Sequence, residues 1–263
     1  MLTSQEINEI FAQRDAIIIG SHLVYAKKPD GWYHGSDYVN KDAIYPYTDS
    51  ISTLCQEISR RFIYKDIDVV VGPTVGGVAL AQWVTHWLKH MPEIIANHQR
   101  IYAVCADEED VLAQKEIDVT RGGIINASGV VTIKCDQLNR VVVSYSEKVG
   151  TRRVIKRGYD KHVKGKQCLI VEDVINSGAT VVKTRDAILK AGGEVVGVGA
   201  LCNRSGGKVT AETLGVPELF SLLDVDMKMF PEDSCPICQE RGPKSVRTDL
   251  GKGSEFLVRK GLT

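Results

Sequence analysis

The sequence predicts an α/β fold, a parallel sheet wrapped by helices. Three observations predict it. Short, largely apolar and β-branched runs of strand length recur, at Ile67–Val71 (IDVVV), Cys168–Glu172 (CLIVE) and Glu194–Cys202 (EVVGVGALC). Near-continuous apolar character, without strict alternation, marks strands covered on both faces. Between these runs lie segments whose apolar residues return at helical spacing, and no internal repeat is visible.

The elements follow in order. Thr3 and Glu6 have capping-box spacing, and Ile7, Ile10 and Phe11 share one face behind them, which predicts a first helix. Residues 29–48 are rich in turn formers and aromatics and read as a long loop with a short strand. Ile51, Leu54, Ile58 and Phe62 give a second helix. The Ile67–Val71 strand stops at Gly72-Pro73, and a helix is expected from about Gly77 to His90. Ile101–Cys105 reads as a strand, residues 106–129 as mixed charge with a Gly-Gly, and Val130–Lys134 and Val141–Tyr145 as two further strands. Lys148–Lys166 holds eight Lys or Arg and one acid, Asp160, and reads as a loop. After the Cys168–Glu172 strand, Thr180–Ala191 is helical and stops at Gly192-Gly193. The Glu194–Cys202 strand follows, and residues from about 225 to 263 are rich in Pro, Gly and charge.

Composition narrows the function classes. The 263 residues carry 33 basic and 33 acidic side chains, without the basic excess that a general nucleic-acid binder needs to displace counterions. No apolar run reaches the roughly 18 residues of a membrane span. The segment MLTSQEINEI lacks a basic and then apolar leader pattern, so no signal peptide is expected. Seven scattered cysteines, an odd number, then read as reduced thiols of a cytoplasmic protein.

The chemistry concentrates at residues 169–180. An apolar strand leads into two adjacent carboxylates, Glu172 and Asp173, then two apolar residues, then the small polar turn Asn176-Ser177-Gly178-Ala179-Thr180 opening a helix. Ligands of open α/β sheets sit beyond the carboxyl ends of the strands. Small residues let peptide N–H groups close on an anion, and the helix N-terminus adds a favourable dipole. The turn is therefore a phosphate cradle. It lacks the lysine of a P-loop, and no GxxxxGK[ST] occurs in the chain. Carboxylates beside a phosphate cradle suit a ligand with hydroxyls near its phosphate, such as a ribose 5-phosphate.

On these residues the segment Val171–Thr180 (VEDVINSGAT) resembles the 5-phosphoribosyl-1-pyrophosphate (PRPP) motif of the type I phosphoribosyltransferases. Three other segments are similar to that family in the same order. Val71–Ala81 resembles its first pyrophosphate loop, Gly31–Asp42 (GWYHGSDYVNKD) the amino-terminal hood of the orotate-type branch, and Cys202–Gly207 the place where orotate phosphoribosyltransferases carry Asp-Arg and a glycine. The resemblance implies a Rossmann-like α/β core at 49–224, a hood at 1–48 and a Cys-containing extension at 225–263. It implies transfer of ribose 5-phosphate from PRPP to a nucleobase, orotate foremost, with Mg²⁺ and release of pyrophosphate, in a homodimer. Glu172 and Asp173 would hold the ribose hydroxyls and the Mg²⁺ shell, Asn176, Ser177, Gly178, Ala179 and Thr180 the 5-phosphate, and Thr74, Val75, Gly76 and Gly77 the pyrophosphate. Asn176 and Arg204 would face the base, and the basic stretch, with Lys148, Arg152 and Arg153, would close over the leaving group as the catalytic loop. Two departures stand out: Gly76 replaces a lysine common in the orotate enzymes, and Asn176 replaces a Thr or Ser. A purine or other base as acceptor, a PRPP-binding regulator, and an interaction module built on the tail remain alternatives.

Cys235-Pro-Ile-Cys238 has the spacing of half a zinc site. Cys105 and Cys135, or histidines, are the candidates to complete it, and plain thiols the alternative. The tail is expected to dock on the body or on a second subunit.

Overall fold

The computed structural model describes residues 1–25, 27, 30–91, 100–118, 131–135 and 141–262. The first helix, α1 (Ser4–Ala12), carries the full capping box: the Thr3 hydroxyl accepts from the Glu6 N–H and the Glu6 carboxylate accepts from the Thr3 N–H. Two short strands follow, β1 (Ile17–Ile18) and β2 (Leu23–Val24), and two more, β3 (Tyr33–Gly35) and β4 (Tyr38–Val39), lie within residues 29–48, where a loop with one strand is expected. Next come α2 (Thr48–Phe62), β5 (Val69–Pro73), α3 (Gly76–His90), β6 (Tyr102–Asp118), β7 (Val131–Cys135), β8 (Val141–Val154) and the short α4 (Asp160–Val163). The chain continues through β9 (Gln167–Ile175), α5 (Ala179–Lys190), β10 (Glu194–Asn203), α6 (Ala211–Leu214) and β11 (Leu219–Asp224). It ends with β12 (Met229–Pro231), α7 (Pro236–Arg241) and α8 (Gly253–Arg259).

Among the described residues, a seven-stranded sheet runs β11-β10-β9-β5-β6-β8-β7. Its first five strands are parallel. Alternate residues of β5 and β9 point to opposite faces, and both faces are apolar. Val70, Leu169 and Val171 meet Ile51, Leu54, Ile58 and Phe62 of α2 and Leu80, Val84 and Leu88 of α3. Val69, Val71, Cys168 and Ile170 meet Val181 and Ile188 of α5 on the other side. The predicted two-sided burial is what the structure has.

The sheet departs from the expected parallel pattern at one edge. β6 and β8 are far longer than expected and pair antiparallel, with β7 on the outside of β8. The residues read as a basic loop thus begin as strand. Acids of β6 face bases of β8, at Glu108–Arg153 and Glu109–Arg152, and opposite charges across from one another stabilise the ribbon. Residue 130, the first of the expected Val130–Lys134 strand, and residues 119–129 of the mixed-charge stretch lie outside the described residues.

The tail docks on the amino-terminal strands. β12 pairs with β3, and β3 with β2, while Val24, Val246 and Phe256 form a small core of their own. Among the described residues, no helix is long and apolar enough to cross a membrane.

Candidate active site

The acid pair lies where the parallel strands end. β9 runs three residues past Glu172, held by β10 through the pairs Glu172–Ala200 and Ile175–Asn203. The turn after it enters α5 through Gly178, whose φ of 76° is left-handed. A Cβ there would also sit 2.7 Å from Leu214 Cδ2, so only glycine satisfies both backbone and neighbour. Glu172 and residues Asn176 to Thr180 surround a pocket of about 80 Å³. Its floor is main chain and the first turn of a helix, the surroundings that hold an anion.

Glu172 and Asp173 are both 6% exposed. Asp173 Oδ1 accepts from the Val174 N–H at 2.6 Å, and Oδ2 lies 2.8 Å from Lys41 Nζ and accepts from the Tyr45 hydroxyl at 3.4 Å. Burial alone would lower the Lys41 ammonium; the Asp173 carboxylate outweighs it and holds the ammonium above its ordinary value. Glu172 accepts from the Asp173 N–H through Oε1, while its buried Oε2 has no hydrogen-bond partner among the described residues. Burial, and then the Asp173 charge beside it, push the Glu172 carboxyl up, to about 8.

The sign of that shift predicts a pH dependence. The folded chain holds the Glu172 proton after the unfolded chain has released it. Without ligand or metal, stability should therefore fall as pH rises from the ordinary carboxylate range to about 8, and the loss should be complete above that. Urea midpoints across that window, compared with those of Glu172→Gln, check it: the variant should show the shallower decline. Parallel profiles would remove the assignment.

Across from the acids, β5 ends in the Thr74–Gly77 turn, which begins α3, and the Thr74–Val75 peptide is cis. A Cβ on Gly76 would lie 1.8 Å from Asp173 Oδ2, and one on Gly77 would lie 2.8 Å from the Val171 carbonyl oxygen. The two glycines let the turn close on the acid-bearing strand. Arg153 reaches the turn from β8: its guanidinium donates to Thr74 Oγ1 at 2.7 Å and to the Ala106 carbonyl at 3.4 Å. Its side chain is 8% exposed and its Nε has no partner.

Beyond Asn176 a second cleft opens, of about 480 Å³. Arg204, Lys27 and Lys252 give it positive charge, and Tyr25, Tyr38 and Met229 give it flat apolar walls. The Arg204 main-chain N–H donates to the Ile175 carbonyl, which places its side chain beside the phosphate turn, and its buried Nε has no partner. Asn176 lines both this cleft and the small pocket.

Residues 139–230 match the model of the phosphoribosyl transferase domain. The chain is 25% identical over 242 residues to the orotate phosphoribosyltransferase of Caldanaerobacter subterraneus subsp. tengcongensis, covering 92% of this chain and 95% of the relative. It is likewise 25% identical to that of Thermotoga maritima, over 90% of this chain and 94% of the relative. The orotate phosphoribosyltransferase of Mycobacterium tuberculosis H37Rv, in complex with inorganic phosphate, shares the fold: TM-score 0.50 at 18% identity, over 84% of this chain and 95% of that one.

Residues 139–230 thus carry a phosphoribosyl transferase domain, in the fold of the type I phosphoribosyltransferases. The structure brings together Glu172, Asp173, the Asn176–Thr180 turn, the Thr74–Gly77 turn, Arg153 and Arg204. It does not bring in Lys148 or Arg152. Both lie on β8, exposed, with Lys148 2.6 Å from Asp110 and Arg152 2.7 Å from Glu109, so their charge is spent across the ribbon. Sequence reading missed Lys41 and Tyr45. Lys41 lies inside the hood segment Gly31–Asp42, as its second-to-last residue, but nothing local tied its ammonium to an acid 132 positions on (173 − 41).

The Cys235–Cys238 pair meets histidines. His22, His34, Cys235 and Cys238 present ligand atoms within 4.8 Å of one another. Cys105 is elsewhere, with its thiol 3.9 Å from Asp107, and the Cys135 side chain lies outside the described residues.

Proposed function

We propose that this phosphoribosyltransferase moves the ribose 5-phosphate group of PRPP onto a ring nitrogen of orotate, releasing pyrophosphate, and that it works as a homodimer. The observation that carries the acceptor is the shared position of Asn176. A phosphate-sized pocket and a cation-lined cleft lie on its two sides, as the two ends of one nucleotide require. Among the described residues no acidic side chain lines the cleft, which favours a flat, anionic base over a neutral purine.

In the reaction, the bond from C1 of the sugar to the pyrophosphate oxygen breaks, a bond from C1 to the base nitrogen forms, and the proton that nitrogen carried leaves to the departing pyrophosphate or to water. The sugar passes through a cationic, oxocarbenium-like state, so no protein nucleophile is needed; the chain positions two reactants and meets the separating charges. The main chain of 176–180 would grip the 5-phosphate. The Thr74–Gly77 turn, backed by the Arg153 guanidinium, would take the pyrophosphate as its charge grows. The acid pair would accept hydrogen bonds from the ribose hydroxyls. The pair also fits a hard divalent cation, because one buried carboxylate oxygen, Glu172 Oε2, lacks a hydrogen-bond partner among the described residues. Mg²⁺ held by Glu172 and Asp173 would supply positive charge to the pyrophosphate oxygens. For PRPP to bind, the Lys41 ammonium must give up Asp173 Oδ2, and its half-exposed stem leaves room for that.

Arg204 tests the acceptor. Arg204→Ala should raise the KM for orotate by about 10- to 100-fold, the worth of a hydrogen bond to a charged group, with little change in the KM for PRPP. Initial rates of pyrophosphate release with each substrate varied in turn check it. Equal effects on both constants would sink orotate as the ligand of this cleft.

A further inference from the structure

We infer that His22, His34, Cys235 and Cys238 hold one Zn²⁺ ion, and that this ion fixes the two walls of the Arg204 cleft against each other. Zinc bonds of about 2.0–2.1 Å to nitrogen and about 2.3 Å to sulfur, at tetrahedral angles, put ligand atoms roughly 3.3–3.8 Å apart. Here His22 Nε2 lies 3.0 Å from His34 Nδ1, 3.7 Å from Cys235 Sγ and 3.5 Å from Cys238 Sγ. His34 Nδ1 lies 3.3 Å from Cys238 Sγ. Four of the six edges thus lie at 3.0–3.7 Å, near those of a zinc tetrahedron, and all four ligand atoms lie within 4.8 Å of one another, on side chains of which three are buried.

The outer atoms of the histidines say more. The Ser245 hydroxyl donates to the Gly242 carbonyl at 2.6 Å, so its oxygen is left to accept from His22 Nδ1, also at 2.6 Å. That tautomer turns the His22 Nε2 lone pair inward. His34 Nε2 faces the Glu232 carboxylate at 3.6 Å, and Arg259 and Lys260 pair with that carboxylate at 2.7 and 2.9 Å. Nε2 makes no hydrogen bond among the described residues, but a negative carboxylate facing it favours the proton on Nε2, which turns the His34 Nδ1 lone pair inward as well. Two inward lone pairs 3.0 Å apart repel unless a cation lies between them, and a hydroxyl or carboxylate behind each ring is the usual support of a metal-bound histidine. The Cys238 N–H pointing at Cys235 Sγ at 3.5 Å would in turn support a thiolate.

The position of the cage gives it a purpose. His22 immediately precedes β2 and His34 lies in β3, whereas Cys235 caps α7 and Cys238 sits within it. The apolar contact joining these parts is small, three buried residues, Val24, Val246 and Phe256, with Trp32, Leu257 and Leu262 partly buried against them, and a core of this size gains from a staple. The same two parts wall the cleft: Tyr25 and Tyr38 come from one, Met229, Gly251 and Lys252 from the other. The metal therefore orders the cleft without touching its contents. The consequence for the acceptor rests on the function proposed above; the metal site does not.

The test uses the untagged full-length chain purified without chelator. Elemental analysis should find about one zinc per chain, lost in Cys238→Ser while PRPP with Mg²⁺ still binds by calorimetry. Wild-type chain stripped of metal and reloaded with Co²⁺ should show thiolate-to-cobalt charge transfer and tetrahedral ligand-field bands, a readout that no misfolded variant can mimic or hide. Metal removal should speed amide exchange at residues 22–38 and 227–252 and leave β5 and β9 protected; in assays it should raise the orotate KM by about tenfold with the PRPP KM unchanged. A chain without metal that gives no cobalt–thiolate band, or one isolated with a Cys235–Cys238 disulfide, overturns the site. Exchange that is the same with and without metal overturns its role at the cleft. A chain that holds zinc but transfers to no base keeps the site and sinks the proposed reaction, and one isolated without zinc that gives no cobalt–thiolate band yet transfers to orotate does the reverse.

Discussion

Asp173→Asn should lower kcat/KM for phosphoribosyl transfer by about 10²- to 10³-fold, the usual cost of removing one placed charge from a transition-state site. The substitution keeps the shape of the side chain and removes its charge. In the ligand-free chain two effects of that loss oppose each other. Without the Asp173 charge, buried Glu172 is held protonated less strongly, which lessens the cost of keeping that proton in the fold, while the 2.8 Å pair with Lys41 becomes an ordinary hydrogen bond. The melting temperature should accordingly move little. In the reacting complex nothing offsets the loss, because the ribose hydroxyls and the metal shell both need an ionised acceptor. Pyrophosphate release under saturating substrates, with a thermal melt of the same preparation, measures both. Wild-type turnover by the variant would take the acid pair out of the mechanism. That Asp173 is already ion-paired does not count against the assignment: the pair is made with a hood lysine at the mouth of the site, beside the pocket that Glu172 lines.

How much of this was legible depended on how local each signal was. The β9–α5 segment could be read because its strand, acids and turn are consecutive in the chain. The basic stretch misled because its partners are distant. Arg152 pairs with Glu109, 43 residues earlier, and Lys148 with Asp110, so a run of charge that looks solvated is one side of a laddered ribbon. Arg153 was found by charge and position, yet what distinguishes it from its neighbour is the alternation of the strand. Arg152 points to solvent and Arg153 to the Thr74 turn, which loop reasoning cannot separate. The zinc cage was half legible for the same reason. Cys235 and Cys238 are three apart, but Cys235 and His22 are separated by 213 positions, and no spacing rule spans that distance.

The absence of a lysine at position 76 was visible in the sequence and had no reason there. In the structure the reason is steric. Asp173 Oδ2 occupies the space a side chain would need: a Cβ on Gly76 would meet it at 1.8 Å, its Cγ at 2.7 Å and the Tyr45 hydroxyl at 2.8 Å. The ammonium in this corner is Lys41's, delivered from the hood. Gly76→Ala should therefore act on catalysis through Asp173. Either the carboxylate rotates away and loses Lys41 and Tyr45, or the Thr74–Gly77 turn backs off and loses its place opposite the acids. Each displacement is of the order of 1 Å, enough to cost about 10²-fold in kcat/KM. The stability cost should be about 1–3 kcal/mol, that of overpacking one methyl, and less where the better helix propensity of alanine offsets it. Adding Asp173→Asn to Gly76→Ala should then cost little more than either alone, since both changes remove the same carboxylate from the same place. Rates for the two single variants and the double variant decide it. Losses that multiply, or a Gly76→Ala enzyme with full activity, would show that the turn and the acid act separately.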